Sequence, residues 1–227
     1  MTKQKLVFLS CIIMCICMGF YGFQTKQSFI DDVNVRDAIN QKNIHVEISS
    51  YNPDITEAFV DTDNINGLSY LEAASPFIVK VKVNPNLKRE LYYFCSLTYV
   101  DVLEVYKGDI KDKTLAVFEP MFFQNVDNQT HIYSLDGYNY MNEQDEYILF
   151  LKRSEDSHYS TFDYVYLPTT TIYSKYNISS NQEFSILPNS DYITYDSVCN
   201  NDVLFTDNNR CKLYNQLKKE ISEKWIQ

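Results

Sequence analysis

The sequence predicts a mainly β protein, a small barrel of short strands with an apolar helix leading the chain and an amphipathic helix closing it. Three observations carry that prediction. Tyr and Phe number 19 and 14 against a single Trp, and such rings favour pleated, half-buried surfaces. Several short runs alternate apolar and polar residues with period two, the mark of a strand with one face buried. Helical spacing is confined to a short run after Gly67 and to the C-terminal stretch. With only five Gly, the turns are expected to be built from Asn and Asp.

The first element is the leader. Lys3 and Lys5 precede Leu6 to Phe23, a run without formal charge. Charge followed by an apolar stretch reads as an export signal. Eighteen helical residues would span ~27 Å, close to the hydrocarbon thickness of a bilayer, so the same stretch fits a permanent anchor. The lysines would stay in the cytoplasm and place the body outside. Cys17-Met18-Gly19 is a poor cleavage site, and Cys11, Cys15 and Cys17 lack the residues that lipidation requires before the cysteine. The expectation is therefore a single N-terminal anchor in a cell membrane, with secretion after cleavage as the alternative. Residues 1–23 form this anchor, 24–43 a polar stalk with a short helix near Asp32–Asn40, and 44–227 one β-barrel-like extracytoplasmic domain.

Within the body, Ile44–Ser49 alternates as a strand, and Leu68–Ala74 makes two helical turns stopped by Pro76. Phe77–Val83 places Val79, Val81 and Val83 inward and its lysines outward. Leu91–Tyr106 reads as one long strand, apolar on parts of both faces, as in a strand that bends within a small barrel. Lys107-Gly108-Asp109 turns the chain into Leu115–Phe118, which Pro120 ends. Asp136-Gly137 predicts a type I′ hairpin between His131–Leu135 and Tyr138–Met141. Glu146–Lys152 is a further strand, and Asp163–Leu167, Thr171–Tyr176 and Glu183–Leu187 are weaker ones. Finally, Leu213, Leu217, Ile221 and Trp225 line one side of a helix over Cys211–Trp225. Six to eight short strands with a terminal helix predict an open or closed barrel of the OB type.

Residues 68–153 carry a resemblance. Leu68–Val83, Tyr99–Pro120 and Met141–Arg153 resemble the core of uncharacterised exported proteins of Gram-positive bacteria, whose OB-like barrel is similar to the netrin-like module of tissue inhibitors of metalloproteinases. Its most specific pieces are Val105–Asp109 and Tyr147–Lys152. Both are structural signatures, so the resemblance implies fold and no chemistry. Those inhibitors act through a cysteine at the mature N-terminus, and this chain has none between Cys17 and Cys95. That activity does not carry over.

The formal charge is −10, and −12 once Lys3 and Lys5 are removed. A body this acidic repels phosphate backbones and argues against a nucleic-acid partner. Catalytic motifs are absent from the sequence: no H-E-x-x-H, P-loop, G-x-S-x-G elbow or G-x-G-x-x-G occurs. His45, His131 and His158 are scattered, so no metal site is expected of them, and no cofactor is expected. Asp61–Glu72 places carboxylates at positions 1, 3 and 12 of a calcium-type loop, but Ile65 removes a ligand and Asn66 replaces the glycine. Asp145-Glu146 and Glu155-Asp156 are adjacent acids, which a strand sends to opposite faces. Cys199 and Cys211 flank a polar loop and either bridge outside the cell or stay reduced, with Cys95 a strand residue. The Tyr groups at Tyr92-Tyr93, Tyr138 to Tyr140 and Tyr164 to Tyr166 offer either barrel packing or a stacking surface. The sequence thus leads to a non-enzymatic, membrane-anchored module that contacts an unknown protein or envelope component through aromatic residues. The alternative is an envelope hydrolase or hydrolase inhibitor with a site assembled from distant residues.

Overall fold

A computed structural model describes residues 35, 39, 43–49, 59, 62–92, 94–126, 129–154, 164–180, 182–188 and 192–226. The leader, nearly all of the stalk, Asp61, His158 and Glu155-Asp156 lie outside these residues, and of the helix expected near Asp32–Asn40 only Val35 and Ile39, both helical, are described. Among the described residues no helix is long and apolar enough to cross a membrane.

The strands are β1 (His45–Ser49), β2 (Phe77–Val83), β3 (Glu90–Tyr92), β4 (Cys95–Lys107), β5 (Thr114–Glu119), β6 (Met121–Val126), β7 (Gln129–Leu135), β8 (Glu146–Arg153), β9 (Val165–Pro168) and β10 (Lys175–Asn177). Helices α1 (Leu68–Ala74), α2 (Tyr195–Val198) and α3 (Asn208–Trp225) complete the fold. Strands β2, β4, β5, β9 and β8 close into a five-stranded barrel, since β8 pairs with both β2 and β9. Every contact in the ring is antiparallel except β5 with β9.

Period-two alternation fills this barrel. Val79, Val81 and Val83 of β2 meet Tyr147, Leu149 and Leu151 of β8 in one buried cluster with Val100, Leu115, Val117 and Tyr166. The opposite faces of the same strands send Ile78, Ile148 and Phe150 into a second core beneath α3. Asp207 caps α3, its carboxylate accepting from the Asn209 and Arg210 N–H groups at 2.8 Å each. The helix buries Cys211, Tyr214, Leu217 and Ile221, so its stripe centres on Tyr214, with Leu213 and Trp225 at its margins.

Some of the expected strands are corrected. Leu91–Tyr106 is not one strand: the chain reverses at Phe94, and β3 pairs back on the start of β4. Pro120 does end β5, as expected, and marks the corner at which the chain leaves the barrel and β6 begins. Asp136 and Gly137 do take positive φ values of 54° and 87°, as a type I′ turn demands, and Tyr138 N–H donates to the Leu135 carbonyl at 3.0 Å. Yet Tyr138–Met141 forms no strand beyond it. Tyr138 bridges to Val203 instead, and the Leu204 N–H donates to the Gly137 carbonyl at 2.7 Å. Glu183–Leu187 likewise forms no strand.

Beyond the Pro120 corner, β6, β7 and β1 make a separate three-stranded sheet, antiparallel between β6 and β7 and parallel between β7 and β1. One face of this sheet buries Val46, Phe123, Ile132 and Met121. The other face is the candidate site.

Candidate functional site

Strand periodicity places Phe122 on β6, His131 and Tyr133 on β7, and His45 and Glu47 on β1 on the face opposite the buried set. The register aligns them in rows, with Phe122 beside Tyr133 and Tyr133 beside Glu47, and His131 beside His45. Phe94, from the β3–β4 turn, extends the face at one end, and Tyr192 extends it at the other. Neighbouring ring centroids are 5.4 Å apart for Phe94–Phe122, 5.2 Å for Phe122–Tyr133, 6.5 Å for Tyr133–His131, 5.2 Å for His131–His45 and 4.6 Å for His45–Tyr192. The result is an unbroken strip of rings across all three strands. Its ends are the most open parts, Phe94 at 59% and Tyr192 at 58% exposure. Polar atoms edge it: Tyr133 OH donates to Glu47 Oε1 at 3.3 Å, and His131 Nδ1 lies 3.0 Å from the same oxygen.

The strip is anchored from both sides. Along β1, Val46 N–H donates to the Ile193 carbonyl and Tyr195 N–H to the Ile44 carbonyl, each at 2.8 Å, while β7 pairs along the other edge. A strand hydrogen-bonded on both edges cannot slide in register without exchanging its buried and exposed faces.

A concavity of about 330 Å³ lies beside β10 and α2 and is lined by Asp145, Tyr147, Asn177, Gln182, Asp202 and other residues. Its carboxylates are already engaged. Asp202 accepts from Asn177 N–H at 3.1 Å and Tyr214 OH at 3.0 Å, with Lys218 Nζ at 3.7 Å. Asp145 accepts from Asn177 Nδ2 at 2.9 Å, and Glu146 pairs with Lys80 at 2.7 Å. Behind this cavity Lys175 is fully buried, its Nζ donating to the Asn139 carbonyl and lying 4.3 Å from the Tyr138 ring centroid. Burial lowers the Lys175 ammonium to about 8, against the opposing pull of Asp202 and Glu119.

The other residues singled out in the sequence lie apart from the strip. Cys199 and Cys211 are free thiols, not a bridge. Cys211 is buried on α3 and donates to the Phe184 carbonyl at 3.2 Å, whereas Cys199 donates to the Asp196 carbonyl. Burial pushes the half-buried Cys95 thiol up to about 12, far from a nucleophile's range. In the calcium-like loop, Asp63 pairs with Arg210 at 2.6 Å and Glu72 with Lys224 at 2.5 Å, so both carboxylates are spent on cations. Tyr138, Tyr140 and Tyr166 are core residues, and among the described members of those groups Tyr164 is the exposed one. The surface rings that do line up, Phe94, Phe122, Tyr133 and Tyr192, fall outside the tyrosine clusters. Period two on His131–Tyr133 and on His45–Glu47 is the signal that could have found part of them.

No protein-family model matches the chain, and no curated protein or solved structure matches it.

Proposed function

We propose that the chain is an exported module, anchored through residues 6–23 with its body outside the cytoplasm, that binds an envelope polysaccharide along the aromatic strip of the β6–β7–β1 sheet. The observation that carries this reading is the strip itself. Rings in a row, set at 9° to 74° to their neighbours, offer apolar contacts to successive sugars, while Glu47, Tyr133 and the histidines supply hydrogen-bonding edges to hydroxyls. The barrel is of the OB-like, netrin-like kind. In support, numbering the ring strands in chain order gives the sequence 1-2-3-5-4, with the single parallel contact between the third and fifth.

Cosedimentation of the purified full chain with peptidoglycan sacculi tests the proposal. The wild type is expected in the pellet, and the Phe94→Ala/Tyr192→Ala double variant in the supernatant with unchanged circular dichroism. Equal partitioning of the two refutes it. A second reading, a hydrolase, is favoured only by the polar cavity at Asp145 and Asp202; it predicts that Asp202→Asn abolishes an envelope-degrading activity and leaves sedimentation unchanged.

A further inference from the structure

At the centre of the strip three donor atoms converge, two from His45 and Glu47 of one strand and one from His131, 84 to 86 positions further along the sequence. His45 Nδ1 lies 3.4 Å from His131 Nδ1, His131 Nδ1 lies 3.0 Å from Glu47 Oε1, and His45 Nδ1 lies 3.9 Å from the same oxygen. Atoms bearing lone pairs repel at such distances unless a proton or a cation sits among them. We propose that this triangle binds one first-row divalent cation, zinc by its ligand set.

The geometry fits. A circle through atoms separated by 3.0, 3.4 and 3.9 Å has a radius of about 2.0 Å, and zinc bonds imidazole nitrogen and carboxylate oxygen at about 2.0–2.2 Å. An ion can therefore touch all three at once without a side chain changing place. Two imidazoles and one carboxylate select zinc and its neighbours over calcium or magnesium, which take oxygen ligands. The scaffold is preorganised, because His45 and His131 are register partners on parallel strands and β1 is hydrogen-bonded along both edges. Partners outside the triangle fix the ligands further: Tyr133 OH holds Glu47, and the Tyr192 ring stacks on His45 with an interplanar angle of 9°. Access remains on the outer side, where the His45, His131 and Glu47 side chains are 19%, 15% and 41% exposed. Three protein ligands with one open side leave a coordination position for water or a bound molecule. This inference stands apart from the polysaccharide reading and does not rest on it.

The test is titration of the purified full chain, stripped with a chelator, with Zn²⁺ by calorimetry and with Co²⁺ by visible absorption. One equivalent of zinc should bind with micromolar or tighter affinity. Cobalt should give visible ligand-field bands without the near-ultraviolet charge-transfer band of a thiolate ligand. His131→Ala and Glu47→Gln should each weaken zinc by at least about tenfold. Glu47→Gln keeps the side-chain shape and serves if His131→Ala fails to fold. No saturable binding by the wild type at millimolar zinc overturns the proposal. So does a cobalt–thiolate band, or variants that bind as the wild type does.

Discussion

Lys175 is a residue whose setting makes stability depend on pH. Its ammonium is buried and titrates at about 8 in the folded chain, against about 10.4 when exposed. Between those values the unfolded chain holds a proton that the folded chain has released, so stability rises as pH rises through this window. Taken alone that gain corresponds to about 3 kcal/mol, and the Cys95 thiol, which burial pushes up to about 12, opposes it from about pH 8.5 upward. Lys218, also lowered by burial, acts in the same direction as Lys175. Tyr138, Tyr140, Tyr176 and Tyr214 act oppositely, because burial holds their phenols well above the ordinary range. Above about pH 10 the unfolded phenols ionise while the folded ones do not, and stability falls. Urea unfolding from pH 7 to 11 should therefore show a rise and then a fall. Lys175→Met should flatten the rise and leave the fall; a wild-type curve without a rise contradicts this account. A second buried charge pairs Arg89 with Glu119, whose carboxylate also accepts from Thr98 Oγ1 at 2.5 Å, Met141 N–H at 2.8 Å and Tyr138 OH at 3.0 Å. Arg89→Met strands that carboxylate in the core and should cost about 3–5 kcal/mol by denaturant titration.

Among the elements, the turn at Asp136-Gly137 joins the small sheet to the rest of the molecule. Asp136 accepts from Arg210 of α3 at 2.7 Å and from Thr171 at 2.6 Å. Gly137, at φ 87°, packs against the Leu204 carbonyl with no room for a Cβ. Gly137→Ala combines a strained φ with that collision and should lower the urea midpoint by an amount worth more than about 1 kcal/mol. Asp207→Ala removes an N-cap and should cost about 1 kcal/mol by the same measurement. These elements also show how far local pattern reaches. Phe77–Val83 and Leu68–Ala74 are legible residue for residue, because alternation in one and a proline stop in the other act locally. The Asp136-Gly137 turn is legible too, but not the partner of Tyr138, since Val203 lies far along the chain. Strand β6 is hidden by Pro120, which a local reading takes as a terminus and the fold uses as a corner. The reversal at Phe94 has no glycine, proline or asparagine to announce it.

For the whole molecule, the barrel and the small sheet divide the work. Tyr166 is spent in the barrel core and Tyr138 and Tyr140 are buried too, while the sheet beyond Pro120 presents single rings in register. That explains why the candidate site was nearly invisible in sequence. His45 and His131 meet only because β1 pairs in parallel with β7, and long-range pairing is the one property that local periodicity does not encode. Should the strip be the recognition surface, aromatic ¹H–¹³C spectra of the full chain in detergent, titrated with soluble peptidoglycan glycan strands, should shift at Phe94, Phe122, Tyr133 and Tyr192 and stay unchanged at Tyr147 in the polar cavity. Shifts centred on Tyr147, or no shifts along the strip at saturating glycan, would contradict it.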